Sequence, residues 1–534
     1  MTTLLLNGRV HSPSHPDATA MAVIGPVVAW LGSDDVGRHQ FPDAQTVDLD
    51  GAFVAPAFVD SHVHTTSTGL LLSGLDLTPA TSLRHCLDLV TAYAATHPGQ
   101  IIWGHGWDDS RWPDGRAPST QDVDHAVGPR PVYLARIDVH SAVASSALRD
   151  MVPGLSAVAG FDRQLPLSAE AHHLVRGEAR RMLTWHQLND ARLAALDRAA
   201  ELGIVAVHEC AGPEIGGVDD WNALRALDHG VDIVGYWGEA VSSVAHARAL
   251  ISDTGAQGLA GDLFVDGALG SRTAWLCEPY ADAAEDTWRG NRYLDSDAVT
   301  AHLMSCTEAG ITAGFHVIGD AAVGSVVDAF ERVVDRFGGP AVARCGHRLE
   351  HLEMVSHDQA AKLGAWGVIA SMQPNFDELW GGDIGMYAHR LGTDRAARLN
   401  PFAQLASAGV PLAFGSDTPV TNMNPWTAVR AATLHHTAGS AISMRASFAA
   451  ATRGAWRAGG VNDGLTGTLV PGAMASFAIW DVENLDVSAP RDAVQRWSTD
   501  PRSRVPELPA LTASDPPPVC LRTVHRGEVL YDRL

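Results

Sequence analysis

Short apolar, β-branched runs broken by Gly, Pro and Asp fill the first segment of the chain and recur at its carboxyl end. Residues 3–6, 21–24, 27–31 and 46–49 read as strands, and so do 476–480, 519–524 and 528–531. Matching ends imply that the termini meet in one small β-sandwich-like domain. Between them, apolar runs alternate with Ala-rich helical stretches, the signature of βα units and a parallel sheet. Candidate strands are 53–59, 204–208, 231–237, 263–266, 311–316, 348–351, 368–372 and 411–415. Eight such strands make an α/β fold of the (β/α)8 TIM-like barrel type.

Residues 69–195 do not fit a single βα unit and read as a large insertion after barrel strand one. Its own turn is Trp112-Pro113-Asp114-Gly115, and its possible strands are 101–103 and 132–137. The expected domains are a composite β domain (1–56 and 465–534), a barrel (57–68 and 196–464) and the insertion (69–195). The stretch nearest to a linker is 501–518, rich in proline, serine and acidic residues.

Composition narrows the function. The formal charge of −23 repels nucleic-acid phosphates and anionic membranes. No stretch is long and apolar enough to span a bilayer. The opening apolar run, 4–6, is too short for a signal-peptide core. Six cysteines are scattered without a CxxC pair, which suggests reduced thiols in a cytoplasm. The expected partner is a small-molecule substrate, with a homodimer possible by base rate.

The strongest chemical signal is Asp60-Ser61-His62-Val63-His64, at the end of the first strand. Residues i and i+2 of a strand share a side, so His62 and His64 can present two imidazoles to one ion. With 25 histidines in the chain, an HxH alone is weak. It gains weight because His316, His351 and Asp417 end the fifth, sixth and eighth strands. Active sites of such barrels form on that rim. Four imidazoles and a carboxylate suit a divalent first-row metal, zinc by default.

That order of ligands resembles the amidohydrolase superfamily. Ala55-Pro56-Ala57-Phe58-Val59-Asp60 resembles that superfamily's entry into the barrel, and Leu263-Phe264-Val265-Asp266-Gly267-Ala268-Leu269-Gly270-Ser271-Arg272 and Gly415-Ser416-Asp417-Thr418-Pro419 resemble its YtcJ-like branch, which includes N-substituted formamide deformylases. Gly106-Trp107-Asp108 and Gln373-Pro374 do so too. The resemblance implies the same barrel, the composite terminal domain and a metal-dependent hydrolase. It also marks a departure. Relatives with two metals often bridge them with a carboxylated lysine before Leu-Phe-Val-Asp-Gly, and here that position is Asp262. The single lysine, Lys362, lies elsewhere, so no carboxylated lysine is expected. Asp262 is shorter, so it is expected to miss the metal, to draw in one ion, or to bridge a tighter pair. One tightly held metal is the favoured expectation, with a second partly occupied or absent.

Candidate substrate-facing residues are His140, Trp107, Asp108, His208, Glu209 and Arg272. The expected reaction is hydrolysis of a C–N bond in an amide, N-substituted formamide or cyclic amide by metal-activated water. Asp417 would move the proton, and His351 or His316 would stabilise the oxyanion. The alternatives are a hydrolytic deaminase of an amino-heterocycle and a metal-binding pseudoenzyme.

Overall fold

The computed structural model describes residues 2–283, 287–486 and 506–534. Its central sheet has eight strands, numbered here β1 (Phe58–Val63), β2 (Ile204–Ala211), β3 (Asp232–Trp237), β4 (Gly258–Leu259), β5 (Thr312–Val317), β6 (Arg348–His351), β7 (Ile369–Met372) and β8 (Leu412–Phe414). They pair in chain order, each with its neighbour in parallel. The ring closes through Asp417 N, which donates to His62 O at 2.8 Å, and His64 N, which donates to Thr418 O at 3.0 Å. The fold is therefore the barrel expected from the alternating pattern.

The barrel is layered in polarity. Near the strands' N-terminal ends, Val59, Val205, Ile369 and Ala413 pack with Trp456. Farther along lies a polar layer in which Arg348, Glu350, Ser61, Ser371 and His208 bond to one another. The ligand-type residues stand at the C-terminal rim above it. Facing the helices, Phe58, Phe315, Leu349 and Phe414 join the main core. Burying one such side chain contributes roughly 1.5–3 kcal/mol.

Two expected strands differ in detail. The run 53–59 splits at Ala57. Phe53–Pro56 pairs with Phe477–Asp481 outside the barrel, and the barrel strand starts at Phe58. Both halves are apolar because both are buried, so polarity alone gave no break. The fourth strand is also interrupted. Gly258–Leu259 pairs with β5, the ladder lapses at 260–262, and pairing resumes where Val265 N donates to His316 O and His316 N donates to Leu263 O. Gly261 takes the lapse in the left-handed region, with φ of +76°. Like a β-bulge, such a lapse re-aims a side chain, here Asp262.

Both termini contribute to one sheet, ordered Arg9–Val10, Phe53–Pro56, Phe477–Asp481, Val519–His525 and Glu528–Asp532. It faces an N-terminal sheet of four strands across Leu5, Met21, Val23, Val54, Phe477 and Ile479. Alternation along Thr2–Leu6 sends Leu5 into that core and Leu4 and Leu6 to the opposite face. Leu508–Pro509, inside the linker-like stretch 501–518, pairs with Leu485–Asp486. Residues 501–505 of that stretch lie outside the described residues.

The segment after β1 begins with helix α1 (Thr65–Ser73) and builds a five-stranded sheet around Ile102–Trp107 and Val132–Arg136. Helices α2 (Ala169–Arg181) and α3 (Trp185–Glu201) return the chain to β2. The expected boundary at 195 falls inside α3. That helix crosses α1 closely, since a Cβ on Gly69 would lie 1.7 Å from the Ala191 carbonyl oxygen. Among the described residues no helix is long and apolar enough to cross a membrane.

Candidate metal centre

Four buried histidines and two buried aspartates meet on the rim. His64 Nε2 lies 3.1 Å from Asp262 Oδ2 and 3.3 Å from Asp417 Oδ1. His62 Nε2 lies 3.4 Å from Asp262 Oδ1 and 3.4 Å from Asp417 Oδ1. His316 Nδ1 lies 3.6 Å from Asp262 Oδ1. His351 has a ring nitrogen close enough to share an ion with Asp262 and His316, or with His62 and Asp417. The structure thus brings together His62, His64, His316, His351, Asp417 and Asp262.

Three of the imidazoles have their tautomer fixed from behind. His62 Nδ1–H donates to Glu350 Oε2 at 2.9 Å, His316 Nε2–H to the Gly267 carbonyl at 3.3 Å, and His351 Nδ1–H to Gln373 Oε1 at 2.8 Å. Each ring keeps its other nitrogen as a lone pair facing the cluster. Metal histidines are oriented in this way by an acceptor on the far nitrogen. Glu350 is held in turn by the buried Arg348 guanidinium.

The chemistry of this set fits a divalent cation. His62 Nε2, Asp262 Oδ1 and His316 Nδ1 are buried without a hydrogen-bond partner, and each such atom costs about 1–3 kcal/mol if left so. Cations held by His62, His64 and Asp262 and by Asp262, His316 and His351 would satisfy these atoms. Burial works against a charged His64, yet Asp262 and Asp417 outweigh it and raise its pKa to about 9. A field that favours positive charge so strongly also favours a metal ion.

Asp262 narrows the expected alternatives. It does not miss the cluster, because its carboxylate stands within 3.6 Å of three imidazoles contributed by β5 and the end of β1. Its side chain leaves the backbone where the fourth strand is interrupted. Lys362 sits on an exposed helix, paired with Glu331, far from this chemistry.

Of the six substrate-facing candidates, only His140 lines the cleft over the cluster, its ring 5.0 Å from that of His316. Trp107 is buried in the insertion's core and donates to the Leu134 carbonyl. Asp108 is engaged by Arg136 at 2.9 Å. His208 accepts from Arg348 in the polar layer below the rim. Glu209 accepts from Thr65 N at 2.8 Å and so caps α1. Arg272 is spent on Asp282. Each was plausible by position, but each serves the frame instead.

Several site residues escaped the sequence reading. Glu350 was detectable, since strand alternation puts it on the same side as Arg348, inside the barrel. His173 and Arg176 line the cleft from α2. They are one turn apart on a helix of the insertion, and no motif marks them.

A family model described as the amidohydrolase family matches residues 45–531, and the chain belongs to that family. It is 28% identical over 530 residues to the protein LONG AFTER FAR-RED 3 of Arabidopsis thaliana, across 91% of this chain and 89% of the relative. It is 25% identical to the putative amidohydrolase YtcJ of Bacillus subtilis, across 76% of this chain and 78% of that one. It is 24% identical to the N-substituted formamide deformylase of Arthrobacter pascens, across 81% and 84%. A solved structure described as an uncharacterized metal-dependent hydrolase from Pyrococcus furiosus matches with a TM-score of 0.68 and 26% identity, over 90% of this chain and 99% of that one. The chain is a hydrolase of the YtcJ-like branch.

Proposed function

We propose that the chain hydrolyses a C–N bond in a small amide, N-substituted formamide or cyclic amide, using a divalent metal, zinc by preference. The observation that carries this reading is the convergence of four histidines, Asp262 and Asp417, three of the rings with their N–H groups tied down from behind. His62, His64, Asp262 and Asp417 would hold an ion on one side, and His316 and His351 would share Asp262 on the other. A divalent ion in such a site acidifies water and polarises a carbonyl.

The protein's own groups supply the rest. Asp417 stands at the cluster's edge and lines the cleft, positioned to take a proton from water and pass it to the leaving amine. Its backbone is held in the left-handed region, φ +54°, by the hydrogen bond to His62 O. His140 lines the same cleft, and burial keeps its ring neutral. It can donate to the substrate oxygen as negative charge develops there. His316 and His351 are committed as ligands in this arrangement, which leaves His140 for that part.

A panel on metal-reconstituted protein tests the reading: an N-alkylformamide, a cyclic imide, an aryl ester and an aminopyrimidine. Release of amine or ring-opened product from the first two is expected. Ammonia from the aminopyrimidine alone would contradict it, as would metal-loaded protein inert on all four.

A further inference from the structure

Arg176 lines the cleft from α2, and its charge is unanswered. The other arginines of that helix have carboxylate partners: Arg180 pairs with Asp220 at 2.7 Å and Arg181 with Glu178. Arg176 donates once, to the Glu214 backbone carbonyl, and makes no ion pair among the described residues. The Glu214 carboxylate is turned instead to His173, 3.1 Å away. The same cleft is lined by Trp103, Tyr133, Phe264 and Ile215 and, at the cluster, by Asp262 and Asp417. Burial pushes Arg176 below its ordinary pKa, outweighing Tyr133 and the more distant Glu214 and Asp262 carboxylates. Arg136, bonded to Asp108, Asp109 and Asp138, and Arg348, bonded to Glu350, are also buried and are pushed upward.

Arg176 lines the same cleft as the cluster residues His64, Asp262, His316, His351 and Asp417. From His173, one turn before Arg176, the contacts run to Phe264 at 6.1 Å between ring centroids and on to His316 at 4.9 Å. On the far side of the cluster a second cleft shares His140, His316, His351 and Asp417 with the first. That cleft is lined by Phe376, Trp380, Met386 and Tyr387. The reacting centre therefore lies between an apolar lobe and a lobe with an unpaired cation.

We propose that Arg176 is a carboxylate receptor, and that the amide hydrolysed carries a carboxylate on the side facing the insertion and an apolar group on the other. This rests on the hydrolase reading above. The planar fork of a guanidinium matches a carboxylate, and a charge-assisted hydrogen bond in a desolvated wall is among the stronger polar contacts. An N-acyl amino acid has this layout, with the scissile C–N bond between acyl group and carboxylate.

Calorimetry on metal-loaded protein with 3-phenylpropionate and the neutral 3-phenylpropan-1-ol tests the receptor without turnover. Arg176→Gln should weaken the carboxylate about 10- to 100-fold and leave the alcohol unchanged. Arg176→Lys should keep part of the preference, and all three proteins should hold equal metal. A carboxylate attracted only by the metal would bind Arg176→Gln as well as the parent protein, and that result overturns the proposal. Undetectable carboxylate binding by the parent, or equal loss for the alcohol, overturns it too. In turnover, an N-formyl amino acid should be preferred over its decarboxylated N-formyl amine, and the preference should vanish in Arg176→Gln. If the binding results hold while neither compound is hydrolysed, the receptor stands and the hydrolase reading fails.

Discussion

The Nδ1–H of His62 donates to Glu350 Oε2 at 2.9 Å, and neither side chain reaches solvent. Glu350 in turn takes two hydrogen bonds from Arg348, so one buried carboxylate both neutralises a guanidinium and fixes a ligand tautomer. Glu350→Gln keeps the shape but removes the charge. Metal affinity, read by competition with a chelator, should fall about 10- to 100-fold. Stability should fall as well, by about 3–5 kcal/mol, because Arg348 loses its counter-ion. Unchanged metal affinity would remove Glu350 from the support of the site.

Asp417→Asn should reduce kcat about 10²- to 10⁴-fold with the fold intact, since an amide cannot take up the proton. The amide also loses charge beside the cluster, so metal content must be measured alongside. A variant with parental rate and metal content would exclude Asp417 from proton transfer.

Asp262→Asn should lower metal content per chain, because this carboxylate stands between His62, His64 and His316. Activity should be indifferent to added bicarbonate, since no lysine is available near the cluster to be carboxylated. Full metal content in Asp262→Asn, or stimulation by bicarbonate, would contradict this placement.

The positions of these ligands were legible because chemistry and strand ends coincide. His62 and His64 alternate at the end of β1, His316 and Asp417 each follow an apolar strand run, and His351 ends the strand Arg348–His351. The departure at Asp262 was legible as a substitution, but its reach was not, since the lapse at 260–262 that turns it inward is a property of the backbone. His208, Glu209 and Arg272 show the opposite difficulty. A polar residue at a strand end or in a motif can equally bond the frame, and only its partners decide. Arg176 was invisible because its meaning lies in a missing partner.

A structural histidine gives a pH test independent of the metal. His302 donates from Nε2 to Leu259 O at 3.0 Å and accepts from Val241 N at Nδ1. Burial lowers its pKa to about 4. Between about 6.5 and about 4 the unfolded chain binds this proton and the folded chain does not. Its contribution to stability is therefore complete above pH 6.5 and is lost as the pH falls toward 4. That shift corresponds to roughly 3 kcal/mol. His302→Gln, whatever its absolute stability, should show a shallower fall in urea midpoint across this window. An identical slope would show that His302 does not titrate as described.

Metal content per chain after exhaustive dialysis tests the central claim most directly. The parent protein should retain at least one divalent ion, and the double variant His62→Ala, His64→Ala should lose it while remaining folded. A parent protein that retains no divalent ion under conditions where it is folded, or a double variant that retains the same content, would contradict a metal centre at this rim.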